Sequence, residues 1–284
     1  MPDIILVAES GADIPQEYFE KFHIFIVPMH VQFGNYSKSD GSFSPQEIVN
    51  YFQEKHQIPK TSGANTEDFE RVFDKIEHQY PGSEILYLAY SAVTTCSFSC
   101  ARIAAEGKPW VHALDTKLYT IGQGMVVIRM AELLAQNPEW TIQKASEEAE
   151  RLIRKAHVSF VPQHLEYLVA GGRVKNKTAL LAGLLHIHPR IDAEDGYLVA
   201  GKKYRGKMER TAEKLVRDFV EEYDADRAVI WFCRCPGASE QVQKVMEDTV
   251  QELGFQSIRW ADCGGVITSH GGEGAIGIAG FSND

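Results

Sequence analysis

The sequence predicts an α/β fold in two units, the first built on a mainly parallel sheet, and three observations carry that expectation. Short apolar runs alternate with helical patterns through the first half of the chain, the signature of βαβ units. Three of those runs close on small polar or glycine-rich turns, as parallel strands do where they leave an open sheet. The pattern changes character near His157, and an Asp-Gly pair further on marks a hairpin. The expected division is therefore 1–158 and 159–284.

The elements follow in order. Ile4-Ile5-Leu6-Val7 reads as the first strand and runs into Glu9-Ser10-Gly11-Ala12-Asp13. A helix is expected over 44–54, where Ser44-Pro45-Gln46-Glu47 sets a cap, a first-turn proline and an acid in order. Pro59-Lys60 makes Thr61-Ser62-Gly63 an extended turn, and Asn65 then opens a helix over 66–80. The strand Ile85-Leu86-Tyr87-Leu88-Ala89-Tyr90 runs into Ser91-Ala92-Val93-Thr94-Thr95-Cys96-Ser97. Trp110-Val111-His112-Ala113-Leu114 runs into Asp115-Thr116 and Thr120-Ile121-Gly122-Gln123-Gly124, with helices at 122–136 and 141–157. A strand at 158–161, a helix at 163–169 and a Gly171-Gly172 break precede a short apolar helix at 178–185. Strands at 186–192 and 197–200 flank Ala193-Glu194-Asp195-Gly196. Amphipathic helices at 208–223 and 239–253 enclose a strand at 228–233.

Composition excludes several classes of function. A chain of 284 residues, 44% of them hydrophobic, can bury a sizeable core. Its net charge of −10 disfavours binding a nucleic acid over a broad surface. No apolar stretch approaches the ~20 residues of a membrane span, and no signal-peptide pattern opens the chain. The five cysteines are odd in number and sit in apolar segments, which reads as reduced thiols and a cytoplasmic location.

Few motifs point to catalysis. Gly201-Lys202-Lys203-Tyr204-Arg205-Gly206-Lys207-Met208 nearly matches a phosphate loop, but Met208 stands where a hydroxyl should hold magnesium. A basic turn opening a helix is the simpler reading. Residues 171–210 hold nine basic and four acidic side chains, Arg173, Lys203 and Arg205 among them. Such a face is either merely solvated or a docking surface for an acidic protein, a phosphate-bearing ligand or an anionic membrane. His270 precedes Gly271-Gly272 in a glycine-rich segment that could place its ring and free N–H groups around an anion. A metal site would need several of Cys96, Cys100, Cys233, Cys235, Cys263, His186 and His188 to converge, and no spacing demands it. Neither a metal nor another cofactor is expected. The crevice outside the sheet would be lined by neutral hydroxyls, which suits holding an oxyanion better than breaking a bond.

Taken together, the segments resemble the DegV family of bacterial fatty-acid-binding proteins over nearly the whole chain and in the same order. Glu9-Ser10-Gly11-Ala12-Asp13 is similar to its D-S-x-x-D turn, and Pro28, Val31 and Asp40-Gly41 fit its next block. Pro59-Lys60-Thr61-Ser62 matches P-K-T-S, and Ser91 to Ala101 aligns with S-S-x-L-S-G-T-Y-x-S-A. Asp115-Thr116 with Thr120, Gly122 and Gly124, then Leu165 to Leu168 with Gly171-Gly172-Arg173-Val174, match two further blocks. Lys203, Arg205 and Gly206 match K-x-R-G, and Thr268, His270, Gly272 and Gly274 are similar to the closing T-H-x-G-P-G.

The resemblance implies two α/β domains with a long-chain fatty acid buried in the cleft between them. It implies that Thr61 and Thr95 hold the carboxylate, with Ser62, Ser91 and His270 beside them. It implies no catalysis by the protein itself, but presentation of the ligand to a separate ATP-dependent fatty acid kinase, which forms the acyl phosphate used for phospholipid synthesis. Arg173, Lys203 and Arg205 would then dock that kinase or transiently touch a membrane. Some positions depart from the pattern: Glu9 for aspartate, Ala92 for serine, Thr95 for serine, Cys96 for glycine, and Glu273 for proline near the expected head group. Two other classes remain open on the residues alone. One is an acyl hydrolase or transferase with Ser97 or Thr95 as nucleophile and His270 as base. The other is a binder of phosphate-bearing small molecules.

Overall fold

The computed structural model describes residues 3–175 and 187–283; the helix expected at 178–185, Lys177 and His186 lie outside them. The chain begins with β1 (Ile4–Glu9), a single 3-10 turn (Ser10–Ala12), α1 (Gln16–Phe22) and β2 (Phe25–Val27). Next come β3 (His30–Phe33), β4 (Tyr36–Ser39), α2 (Gln46–Lys55), β5 (Lys60–Ser62), α3 (Thr66–Gln79) and β6 (Glu84–Ala89). Then follow α4 (Ser97–Ala104), β7 (Val111–Asp115), α5 (Thr120–Gln136) and α6 (Ile142–Lys155). The second half holds β8 (Ala156–Val161), α7 (Leu165–Gly171), β9 (Val174–Lys175), β10 (Ile187–Glu194) and β11 (Tyr197–Arg205). It ends with α8 (Met208–Glu222), β12 (Ile230–Arg234), α9 (Glu240–Glu252), β13 (Ile258–Asp262), α10 (Gly265–Gly271) and β14 (Ile276–Phe281).

The first sheet has the order β2-β1-β6-β7 and is parallel throughout. Its central strands bury both faces, which is why Ile5–Val7 and Ile85–Leu88 read as continuous apolar runs rather than alternating ones. The change of pattern expected near 158 falls inside β8, the first strand of a seven-stranded sheet ordered β13-β12-β14-β8-β10-β11-β9. That sheet is mixed, with mostly antiparallel pairs. Asp195 and Gly196 both have positive φ (48° and 82°), as the two-residue turn joining β10 to β11 requires.

Local signals set the helix starts. Asn65 and Asp68 form a reciprocal capping box at α3, and the Thr141 and Ser239 hydroxyls cap α6 and α9. α5 differs from the others: its first nine residues, Thr120 through Ile128, are all buried. It packs against β1 and β6 of the first sheet and against β8, β12 and β14 of the second. A helix apolar on all sides is an interior helix, and one hydrophobic cluster accordingly runs from Leu6 and Leu88 through α5 to Phe160, Ile191 and Trp231.

A third sheet, β4-β3-β5, was not apparent from the sequence. Its strand β5 pairs Thr61 with Val31 and Ser62 with His30. The extended turn at Thr61-Ser62 is therefore the end of a strand, and Asn65 caps α3. Among the described residues, no helix is long and apolar enough to cross a membrane.

Candidate ligand-binding site

The three polar turns have different places around one cavity. The hydroxyl turn after β6 and the strand β5 meet because Gly63 has no side chain: a Cβ there would lie 2.1 Å from Thr95 Oγ1 and 2.6 Å from Ser97 Oγ. Ser97 is buried, accepts the Ala64 N–H (3.0 Å) and lies 3.1 Å from Thr95 Oγ1. These bonds fix the Thr95 hydroxyl beside Thr61 and Ser62, and all three line one cavity.

His270 completes this end from the other half of the chain. Its Nε2 is 2.7 Å from Thr61 Oγ1. The ring lies on Gly171, where a Cβ would come within 2.1 Å of Nδ1, so the first glycine of Gly171-Gly172-Arg173 is what admits it. Burial, then the Arg173 charge, push the imidazole down to about 4. At neutral pH it is uncharged and bonds as a donor or an acceptor, not as a counter-ion.

α10, which carries His270, is held by two carboxylates from the first half. Asp13 Oδ1 accepts the Gly264 N–H (2.7 Å), and Asp40 Oδ1 accepts the Gly265 N–H (2.7 Å). Ser10 donates to Asp40 (2.9 Å) and accepts from Met29 N–H (3.0 Å), while the Thr120 hydroxyl sits 2.5 Å from Asp13 Oδ2. The first and third turns thus orient the helix rather than touch a ligand head group, although Thr120 also lines the cavity. Glu9 is a strut of the same kind: buried, it accepts bonds from the Tyr87 hydroxyl, Tyr90 N–H and Gln123.

Burial, and secondarily the Asp40 charge, push the Asp13 carboxyl up to about 8. A carboxyl raised on folding stabilises the folded state below its unfolded pKa, and that contribution is lost as pH rises through the folded value, here from about 4 to about 8. Asp13→Asn keeps an acceptor for Gly264 and stays neutral. The variant is expected to lose less stability than the parent across that window, measured as urea midpoints at about pH 5 and about pH 8. His270, lowered on folding, gives stability that is lost as pH falls, and this cancels in the comparison.

Much of the remaining wall is apolar or weakly polar: Tyr119, Phe160, Leu198, Ile276 and the thiols of Cys233, Cys235 and Cys263. The cysteines are buried, and mutual hydrogen bonding and burial keep the Cys263 thiol protonated. Among the described residues, no group of three or more His, Cys, Asp and Glu is arranged for a metal ion.

The structure brings Thr61, Ser62, Thr95 and His270 together and sets Ser91 apart. Ser91 is buried, donates its hydroxyl to the Gly196 carbonyl (2.7 Å) and does not line the cavity. Its single O–H is spent joining the two halves of the chain. Arg173, grouped by sequence with the basic face, lines the cavity instead, so the wall is not wholly neutral. Lys203 and Arg205 lie elsewhere. Arg173 adjoins Val174, which pairs near the start of the nine-residue β11, and Arg205 ends that strand, roughly 25 Å away at about 3.3 Å per residue. Glu273 packs against Gly237 and does not line the cavity, nor does Cys96. His270 bonds Thr61, and Ser97 bonds Ala64 and Thr95.

Proteins of similar sequence and fold are known. The profile of a family described as "Uncharacterised protein, DegV family" matches residues 3–283. A DegV domain-containing protein of Deinococcus radiodurans is 29% identical over 97% of each chain. A fatty acid-binding protein of Thermotoga maritima is 27% identical over 96% of each. A solved Thermus thermophilus structure, described as fatty acid binding of a DegV family protein, superposes with a TM-score of 0.88 at 28% identity, covering 99% of this chain and all of the other.

Proposed function

This chain belongs to the DegV family, and from that premise we propose that it binds a long-chain fatty acid and presents its carboxylate to a separate ATP-dependent fatty acid kinase. The observation that carries the reading is one cavity with two chemistries: a polar part with the Thr61, Ser62 and Thr95 hydroxyls, neutral His270 and Arg173, and a largely apolar wall otherwise. A carboxylate accepting several hydrogen bonds in a dry site needs no full counter-charge, because charge-assisted bonds are strong. Thr61 and Thr95 are the principal donors, with Ser62 and His270 beside them. The acyl chain supplies affinity: about fourteen methylenes at ~0.8 kcal/mol each offer about 11 kcal/mol before the costs of association.

Hydroxyl donors leave an oxygen of the carboxylate able to attack a γ-phosphate delivered from outside. Among the described residues, none that lines the cavity is a carboxylate. The reading calls for no cofactor and for a cytoplasmic site of action. Lys203 and Arg205 on β11, with Arg173 at the cavity, provide positive charge for docking the kinase or an anionic membrane surface. The experiment is to mix loaded protein, ATP and a bacterial fatty acid kinase and trap acyl phosphate with hydroxylamine. Hydroxamate that appears only with all three components supports the reading; none, with protein verified to be loaded, overturns the kinase step.

A further inference from the structure

Two thiols outside the cavity lie against the turn that carries Thr95. Cys96 is exposed and immediately precedes α4, and its Sγ is 3.3 Å from where a Cβ on Gly63 would stand. Cys100, one helical turn on and half-buried, has its thiol in hydrogen-bonding contact with the Cys96 thiol and with Thr66 of α3. Neither lines the cavity, in contrast to Cys233, Cys235 and Cys263. Residues four apart on a helix share a face, with Cα atoms about 6 Å apart, inside the span of a disulfide. Burial, then the Cys96 thiol, push the Cys100 thiol up, so Cys100 stays protonated while Cys96 is the thiol that an oxidant in solvent reaches. An accessible thiol beside a second, more sheltered one is the arrangement of a cysteine that is oxidised and then resolved.

We infer that Cys96 and Cys100 are a site of oxidation by hydroperoxides, and that their disulfide draws Thr95 out of the head-group site. The inference rests on the reading that Thr95 donates to a fatty-acid carboxylate. The Cys96 sulfur attacks the outer oxygen of a hydroperoxide ROOH, the O–O bond breaks, and ROH leaves with the thiol proton. Cys96 is then a sulfenic acid. The Cys100 sulfur attacks it, an S–S bond forms, and the displaced hydroxide leaves as water with the Cys100 proton. The hydroperoxide gains the two electrons that the thiols lose. Closing the bond brings the Cβ atoms from the 5–6 Å of helical neighbours to about 4 Å. The Cys100 side is the better anchored, because α4 packs on α3 and buries Ala101 and Ala104. The turn before it is looser: Val93 is exposed, and Thr94 and Thr95 are half-buried. Ser97 is held by the Ala64 N–H, so Thr95 parts from Ser97 and loses the two contacts, 3.1 and 3.3 Å, that fix its hydroxyl. By linkage, a ligand that keeps Thr95 in place opposes the oxidation by the same factor.

The test treats delipidated protein with hydrogen peroxide, maps the disulfides by peptide mass spectrometry and titrates the reduced and oxidised forms with palmitate. The expected result is a Cys96–Cys100 disulfide that dithiothreitol reverses. Oxidation is expected to lower palmitate affinity by about tenfold or more, the size of one lost bond to a charged group. Saturating palmitate should raise the reduction potential of the pair by a matching amount, about 30 mV per tenfold. Cys96→Ser and Cys100→Ser are each expected to bind palmitate as the reduced parent does and to lose the response to peroxide. Peroxide that leaves the two cysteines unpaired overturns the inference, as do affinities of the two forms within about twofold. A response that persists in both serine variants overturns it too and places the chemistry on the cavity thiols. Reduced protein that binds no palmitate contradicts instead the fatty-acid reading, and the disulfide map still decides whether the two thiols pair.

Discussion

Replacing Thr61 and Thr95 together with valine is expected to weaken palmitate binding by about a hundredfold or more. Valine keeps the shape of threonine and removes only the hydroxyl. Each hydroxyl would donate to a charged oxygen, a bond worth about 1.5–3 kcal/mol, and two such losses amount to at least about 3 kcal/mol, at ~1.4 kcal/mol per tenfold. The Thr61 change also strips His270 of its partner at 2.7 Å, leaving a polar nitrogen unpaired in the cavity wall. The fold should survive. Ser97 keeps its bond to Ala64 N–H (3.0 Å), and neither threonine belongs to the hydrophobic clusters. Titration of delipidated protein reads the affinity. Binding weakened less than about threefold would mean that the head group sits elsewhere.

Gly124→Ala should destabilise the protein, against the usual sign for a glycine inside a helix. In an open helix that change gains up to about 1 kcal/mol. At position 124 the new Cβ would stand 2.4 Å from the Ala12 carbonyl oxygen, which is backbone and cannot swing away. α5 would have to lift off the turn that carries Asp13, and Asp13 in turn holds the Gly264 N–H. Overpacking of this kind costs about 1–3 kcal/mol, a drop of roughly 3–10 °C in Tm. A Tm equal to or above that of the parent would show that the helix seats more loosely than these contacts require. Gly122 makes the same approach to Val158, with a Cβ distance of 2.6 Å. The two glycines thus let one helix serve both sheets.

What the sequence made legible follows from how locally each feature is determined. The parallel sheet was readable because strands covered on both faces are apolar without interruption. The helix starts at Asn65, Thr141 and Ser239 were readable because a cap is set by residues a turn apart. The sheet β4-β3-β5 was not. Tyr36-Ser37-Lys38-Ser39 and Lys60-Thr61-Ser62 are short and polar, and only pairing with β3 makes them strands. α10 was not legible either, since the sequence around His270 reads only as a glycine-rich segment. It is a helix because Asp13 and Asp40 satisfy the N–H groups at its start. Ser91 looked like its neighbour Thr95, and nothing local says that a carbonyl at Gly196 would take its proton. The cavity thiols had one readable hint, since Cys233 in β12 and Cys235 just past its end lie two apart, and both line the cavity.

The central claim is that the cavity between Thr61, Thr95 and His270 and the apolar wall beyond holds a fatty acid. Its most direct measurement is mass spectrometry of the organic-solvent extract of purified protein, followed by titration of the delipidated protein with fatty acids. The expected result is a long-chain fatty acid in near-stoichiometric amount, with rebinding that tightens as methylenes are added. Repeated extracts without lipid, together with delipidated protein that binds no fatty acid, would contradict the account.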